Sequence, residues 1–153
     1  MPLSLTSPAF PSGGRIPVKY TRDGQNVSPP LEWRDAPEQT RSYAVVVEDP
    51  DAPSGTFPHW AIYNIAAGET GLPENATRAE PGTVAQGVND FGNPHYDGPQ
   101  PPKGHGPHHY HFRLAALDVP RLDLPAGSRV EEVWKAARPH IIAEAEVIGI
   151  YER

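Results

Sequence analysis

Two aspartates, Asp49 and Asp51, stand in the segment D-P-D-A-P directly after a run of hydrophobic residues. The residue before a proline avoids the helical region and each proline has a fixed φ, so this segment is expected to be extended and stiff. Side chains two positions apart in an extended chain project the same way. Because prolines cannot continue a central sheet, the segment predicts a rigid rim loop that holds two carboxylates. The alternative is an ordinary acidic turn in which aspartate bonds its own backbone.

Histidines are concentrated late in the chain, where five of the seven lie between residues 95 and 111. His108, His109 and His111 together suggest a metal site, but in a strand the first side chain points away from the other two. The chain also lacks cysteine ligands and an H-E-x-x-H motif. We therefore predict no structural metal site.

The segment 96–107 is rich in proline and glycine, which predicts a loop with defined turns and close backbone approaches. It leads into a strand in which His108 and Tyr110 share one face. A proline-rich ligand of an SH3 domain is the alternative, which is disfavoured because the segment runs into a strand rather than lying in a polar tail. Serine hydrolase chemistry stays open, since catalytic triads are recognised in space, although the chain has no G-x-S-x-G motif.

Hydrophobic runs separated by clusters of Pro, Gly, Asn and Asp predict the strands that position these side chains. A continuous β-branched run, such as 42–49, is typical of a strand that is buried on both faces. The expected strands are 42–49, 59–65, 108–117 and 146–151. Strict alternation in the second would place His59, Ala61, Tyr63 and Ile65 on one face, and Trp60, Ile62 and Asn64 on the other.

Helical periodicity is clearest in residues 128–138, where Ser128 would cap the helix and Glu131 would complete a capping box. Residues 139–145 would add a short second helical turn. The chain is therefore predicted to be mostly β, as a sandwich or barrel, with one or two helices near its end.

The composition argues against several classes of protein. With 153 residues, including 20 prolines and 14 glycines, the chain fits one compact domain (residues 1–153) with many rigid loops. A net charge of −6 with scattered Lys and Arg argues against binding to nucleic acid or to an anionic membrane. Without cysteine there is no disulfide and no thiol nucleophile. The first residues do not read as a signal peptide and no apolar run reaches the length of a membrane span, so we expect a soluble cytoplasmic protein.

Three segments, in this order and spacing, resemble motifs of the phosphatidylethanolamine-binding protein family, which includes the Raf kinase inhibitor proteins, and especially its compact bacterial and archaeal branch. The segments are NVSPPLEW (26–33), VEDPDAPSGTFPHW (47–60) and NDFGNPHYDGPQPPKGHGPHHYHF (89–112). The resemblance covers nearly the whole chain. It implies two antiparallel sheets in a Greek-key-like β-sandwich, with one or two short helices near the C-terminus.

The resemblance also implies a small anion-binding pocket at one end of the fold. The wall of the pocket would come from the turn Gly98-Pro99 and the loop through Gly104, with Pro53 and Pro101 shaping it. The motifs carry over five polar ligand-binding residues, namely Asp49, Asp51, His59, His108 and Tyr110. His109 departs from the family pattern, because eukaryotic members commonly have an arginine there.

These residues lead to the hypothesis of a non-enzymatic protein, without a cofactor, that binds small phosphate monoesters or phospholipid head groups. The aspartates would accept hydrogen bonds from His59 or His108 and favour protonation of the ring, whose other nitrogen would donate to phosphate. One alternative is an interaction protein that inhibits a kinase or a protease. A hydrolase is the other, because a carboxylate with a histidine also serves acid–base catalysis. Bacterial relatives suggest a homodimer as one assembly state.

Overall fold

The computed structural model describes residues 2–76 and 84–153. Within these ranges the chain forms nine strands, one α-helix and short 3-10 turns. The strands are β1 (Ser4–Thr6), β2 (Gly14–Arg15), β3 (Leu31–Arg34), β4 (Ser42–Asp49), β5 (Phe57–Ala66), β6 (Gly71–Leu72), β7 (Ala85–Gln86), β8 (His108–Leu117) and β9 (Ile141–Tyr151). The helix is α1 (Val130–Ala137), and the 3-10 turns are Val18–Tyr20 and Arg138–His140.

The strands form two sheets, which confirms the predicted mostly β fold. The larger sheet has six strands in the order β2-β9-β8-β4-β5-β7, and the smaller has three in the order β1-β3-β6. The pairs β9-β8, β8-β4 and β4-β5 are antiparallel. One short pair departs from the antiparallel pattern, because β2 runs parallel to β9 at Gly14 and Arg15. The long strands β4 and β8 therefore lie at the centre of the larger sheet.

Strand β4 is buried on both faces, as its continuous hydrophobic run predicted. Val45 and Val47 belong to a cluster that also contains residues of the smaller sheet, such as Trp33. Val46, on the opposite face, belongs to a second cluster with Val133 of α1. The larger sheet is thus covered by the smaller sheet on one face and by the helix on the other.

Strand β5 does not alternate strictly, and the prediction for its two faces was wrong at the two bulges where its register with β4 shifts. Asn64 has a φ of 61°, and the register with β4 shifts beside it. The extra residue in this bulge turns Ile65 to the face of Trp60. A second register shift, where Trp60 pairs with Val47 but the next paired residue is Pro58, leaves His59 as the extra residue.

The start of α1 and the segment after it also differ from the prediction. The capping residue is Arg129, whose backbone N–H donates to the carboxylate of Glu132 at 3.0 Å, while the Ser128 hydroxyl donates to a loop carbonyl. The second helical turn is limited to Arg138–His140, and Ile141 already begins β9. Pairing of this β-branched stretch with β8 outweighs its weak helical pattern. No helix in the described parts of the chain has the length and hydrophobicity needed to cross a membrane.

Candidate functional site

A pocket of about 240 Å³ opens where β4 ends and where β5 and β8 begin. Because these strands are antiparallel neighbours, the last residues of the first lie beside the first residues of the other two. Loop residues 52–54 and 100–102 contribute two further walls. The lining residues are Asp49, Ala52, Pro53, Ser54, Phe57, His59, Phe91, Gln100, Pro101, Pro102, His108 and Tyr110.

Asp49 and His108 form a buried pair in this pocket. The side chains are 4% and 2% exposed, and Nδ1 of His108 lies 2.6 Å from Oδ2 of Asp49. A carboxylate has only acceptor atoms, so Nδ1 carries the hydrogen and Nε2 is the nitrogen left for another partner. The other carboxylate oxygen accepts the backbone N–H of Asp51 at 2.8 Å. After Asp49 the D-P-D-A-P segment is therefore a turn in which aspartate bonds its own backbone, and the prediction of an extended segment with both carboxylates on one side was wrong.

The second ring nitrogen of His108 is also occupied. Its Nε2 lies 2.6 Å from Nδ1 of His105, and the two ring centroids are 4.8 Å apart. Asp49, His108 and His105 thus form a chain of hydrogen bonds that runs from a buried carboxylate to an exposed imidazole. Sequence analysis did not single out His105, because its G-H-G context gives no sign that the ring reaches the residue three positions later.

His59 is fixed by a backbone group and not by a carboxylate. Its Nδ1 lies 2.8 Å from the carbonyl oxygen of Asp97. Since a carbonyl can only accept, Nδ1–H donates and Nε2 remains an acceptor. Burial lowers the pKa of His59 to about 4, so the ring is neutral at physiological pH. The hypothesis that an aspartate side chain orients the histidine therefore holds for His108 and is wrong for His59.

Tyr110 lies between the two histidines of the pocket. Its ring centroid is 5.3 Å from that of His59 and 6.4 Å from that of His108. Burial raises the pKa of Tyr110, and the nearby carboxylate of Asp49 raises it further. The phenol therefore keeps its hydrogen and serves as a neutral donor or acceptor.

One wall of the pocket is aromatic and carries a cation behind it. The rings of Phe57 and Phe91 meet edge to face with centroids 4.8 Å apart. The guanidinium of Arg22 lies 4.1 Å from the Phe91 centroid, which is a cation–π geometry. Arg22 Nη1 also donates to Oε1 of Gln100 at 3.1 Å, so it orients the amide of a lining residue. Sequence analysis did not predict Arg22, because it lies far from the pocket loops in the chain.

A buried carboxylate, Asp97, fixes the backbone on this side of the pocket. Its oxygens accept hydrogen bonds at 2.9 Å from the side-chain amides of Asn26, Asn89 and Asn93. Burial by itself raises the pKa of Asp97, but these three amide donors outweigh it and lower the pKa. Because the Asp97 carbonyl also holds His59, the amide cluster helps to set the orientation of that ring.

The structure brings four of the predicted polar residues together, since Asp49, His59, His108 and Tyr110 all line the pocket. The fifth, Asp51, lies outside the lining. Its Oδ2 is 2.8 Å from Nδ1 of His109, and both side chains are exposed. This hydrogen bond lowers the pKa of Asp51. The aspartates are thus sorted into one buried and one exposed Asp–His pair.

Gly98 and Pro99 do not line the pocket either. The N–H of Gly98 donates to Oδ1 of Asn26 at 2.7 Å, and a Cβ on Gly98 would lie 2.1 Å from the carbonyl oxygen of Tyr20. The carbonyl of Pro99 accepts the N–H of Arg22 at 3.0 Å. Both residues therefore pack the loop against the 3-10 turn Val18–Tyr20 and the residues that follow it. Residues 100–102 form the wall of the pocket. The predicted shaping residues Pro53 and Pro101 are lining residues.

A larger groove, of about 910 Å³, lies on the helix-covered side of the large sheet near Arg113 and Trp134. The Arg113 guanidinium is bound by two carboxylates, at 3.2 Å from Glu48 and 3.1 Å from Glu146. The positive charge at the centre of this groove is thus already paired within the protein. We consider the smaller pocket the better candidate site, because buried polar groups converge there.

Metal ligation finds no support among the residues that the structure describes. No group of three or more His, Cys, Asp and Glu side chains in those residues has an arrangement that could hold a metal ion. His108 and His109 point to different carboxylates, Asp49 and Asp51, as the predicted strand alternation requires. The polar groups of the pocket can donate and accept hydrogen bonds, which suits binding of a small polar ligand.

Comparisons of sequence show relatives along the whole chain. The model of a family described as "Phosphatidylethanolamine-binding protein" matches residues 6–152. A UPF0098 protein of Methanothermobacter thermautotrophicus is 47% identical over 154 residues, which cover 99% of this chain and 99% of that protein.

Comparisons of structure give the same result. Escherichia coli YbcL, whose structure is described as that of a new member of the mammalian PEBP family, matches with a TM-score of 0.94 at 36% identity, over 100% of this chain and 99% of that chain. A Chlamydia trachomatis protein, described as a homologue of phosphatidylethanolamine-binding proteins, matches with a TM-score of 0.89 at 38% identity, over 99% of this chain and 98% of that chain.

Proposed function

The chain belongs to the phosphatidylethanolamine-binding protein family, and on this premise we propose that it is a non-enzymatic protein that binds a small phosphate monoester or a phospholipid head group. The observation that carries the proposal is the buried Asp49–His108 pair, which lines the same small pocket as the neutral ring of His59. Asp49 holds the hydrogen on Nδ1 of His108, so protonation of that ring makes Nε2–H a charge-assisted donor.

The hydrogen-bonding groups suit a phosphate that carries one hydrogen. Protonated His108 offers an N–H to a phosphate oxygen, and neutral His59 offers an acceptor nitrogen to a P–OH group. The Tyr110 hydroxyl supplies a further donor or acceptor. Phosphate monoesters pass from one hydrogen to none near pH 6, so the form whose P–OH suits the acceptor nitrogen of His59 is present at mildly acidic pH.

The remaining walls suit the carbon atoms next to the phosphate. Phe57, Phe91 and three prolines line the pocket, and burial of a methylene group stabilises binding by about 0.8 kcal/mol. A volume of about 240 Å³ is small beside the pockets of drug-sized ligands. A head group therefore fits better than a whole lipid.

Isothermal titration calorimetry with phosphate and phosphoethanolamine at pH 6 and pH 8 tests this function. We expect tighter binding at pH 6 and tighter binding of phosphoethanolamine than of phosphate. His108→Ala should abolish the heat of binding, whereas His140→Ala, which changes an exposed histidine paired with Asp118, should not. Equal affinities for wild type and H108A would rule the proposal out.

Two other functions have distinct outcomes in parallel assays. An inhibitor of a kinase or protease would be recovered with its partner in a pull-down, and that binding would survive Asp51→Ala and His108→Ala. A hydrolase would turn over phosphate or carboxylate esters in a purified assay, and His59→Ala would abolish the turnover. We further propose a cytoplasmic protein with a homodimer as one assembly state, for which cell fractionation and light scattering are the tests.

A further inference from the structure

His105 occupies the atom of His108 on which phosphate binding depends. An imidazole nitrogen makes one hydrogen bond in the plane of its ring, and Nε2 of His108 makes that bond with Nδ1 of His105 at 2.6 Å. Nδ1 of His108 is bound to Asp49 at the same distance. A phosphate oxygen therefore has to displace the ring of His105 before it can bind Nε2.

The backbone on both sides of His105 leaves room for its ring to move. Gly104 and Gly106 flank the histidine with φ values of 75° and 89°, and both positions are open to added atoms. The loop is anchored by its backbone, since the N–H of Gly104 donates to the Arg153 carbonyl at 3.0 Å. His105 itself is exposed, whereas His108 is buried. Its ring can thus leave Nε2 for solvent without exposing the hydrophobic core.

We propose that His105 is a latch, closed on Nε2 of His108 in the free protein and displaced when an anion binds. The inference rests on the proposed function and adds a residue that sets the affinity of the site. Only one hydrogen fits between the two nitrogens, so the latch holds while at least one ring is neutral. When both rings are protonated, two cations face each other and the bond is lost. Protonation of both rings therefore opens the latch and leaves Nε2–H of His108 as a cationic donor.

Two titratable groups beside the pair, His59 and Tyr110, keep their state through this pH range. Neutral His59 and protonated Tyr110 do not change between pH 6 and pH 8, because burial lowers the pKa of the first to about 4 and raises the pKa of the second. Asp49 and Asp51 face the pair from β4 and the following turn as acceptors. The further charged or titratable groups near the pair are Lys103 on the same loop, Arg153, paired with Asp23, and the exposed His109, paired with Asp51.

Calorimetric titration of inorganic phosphate into wild type, His105→Ala and His140→Ala at pH 6 and pH 8 tests the latch. At pH 8 we expect H105A to bind phosphate about fivefold more tightly than wild type, the factor for removal of one competing hydrogen bond. The ratio of affinities at pH 6 and pH 8 should be smaller in H105A than in wild type. H140A should match wild type at both pH values. All three proteins are titrated with the same phosphate, so the protonation of phosphate itself cancels when they are compared. Equal or weaker binding by H105A at pH 8 would overturn the latch.

A second measurement on the free protein separates the latch from the proposed function. The Cε1–Hε1 NMR signal of His108, followed from pH 5 to pH 9, should titrate differently in H105A than in wild type and identically in H140A. If no protein binds phosphate, the proposed function fails, and this titration alone decides the latch. An unchanged His108 titration in H105A would show that the two rings do not interact in solution.

Discussion

Nδ1 of His108 lies 2.6 Å from Oδ2 of Asp49, although 59 positions separate the two residues in the chain. The same chain holds a matched pair at the surface, because Asp51 meets His109 at 2.8 Å with both side chains exposed. The two aspartates are close in sequence and have the same kind of partner. They differ in burial, which makes them controls for each other.

Removal of each aspartate should therefore have a different cost. Asp49→Ala leaves the N–H of His108 Nδ1 and the Asp51 N–H without their acceptor, so we expect the free energy of unfolding to fall by about 1–3 kcal/mol. Asp51→Ala should cost less than about 1 kcal/mol, because its pair is exposed to solvent. Urea unfolding at pH 7 measures both. Similar losses in the two variants would contradict the assignment of the buried pair.

His59 should make the fold sensitive to acid. Its pKa is about 4 in the native state against an ordinary value of 6.5, so the unfolded chain binds more protons between these values. The stabilisation is complete above pH 6.5 and is lost as the pH falls toward 4, and it amounts to about 3 kcal/mol.

His59→Asn tests this contribution, because an amide N–H can still donate to the Asp97 carbonyl but does not titrate in this range. Unfolding free energies of wild type and H59N should diverge by about 3 kcal/mol between pH 7 and pH 4. Other carboxylates affect both proteins equally. Parallel curves would show that His59 is not held neutral by burial.

Gly98 should be required for packing rather than for ligand contact. A Cβ at this position would lie 2.1 Å from the carbonyl oxygen of Tyr20, and backbone cannot move aside as a flexible side chain can. We expect Gly98→Ala to destabilise the protein by about 3 kcal/mol. The control is Gly68→Ala, where a Cβ meets nothing within 4 Å, and its effect should be within about 0.5 kcal/mol. A melting temperature of G98A equal to that of wild type would refute this.

Arg22 should strengthen anion binding from behind the aromatic wall. Its guanidinium is stacked on Phe91 and orients Gln100, so it places a permanent positive charge near the pocket. Arg22→Gln should weaken phosphate binding about threefold at low salt, and the difference should shrink at high salt because exposed charges are screened. Arg121→Gln, at an exposed ion pair with Asp123, is the control. Calorimetry at two salt concentrations would contradict the prediction if R22Q kept wild-type affinity in both.

The sequence predicted β4 and β8 with the bounds that the structure has, because their hydrophobic patterns are continuous or strictly alternating. It failed where the pattern is interrupted by one residue. Neither bulge of β5 has a signal strong enough to be recognised locally, since His59 and Asn64 fit an ordinary strand as well. The latch residue His105 was also missed, because the course of the loop, and not a local pattern, brings its ring to His108.

The sequence by itself determined the chemical groups of the site and the position of the loops that carry them. Prolines interrupt the sheet, so a loop directly after Asp49 follows from residue types, but its turn conformation does not. Tertiary structure decided which of these carboxylates is buried and which histidine nitrogens remain for a ligand. Burial and donor–acceptor pairing depend on the register of strands that are far apart in the chain, and a one-residue shift reverses them.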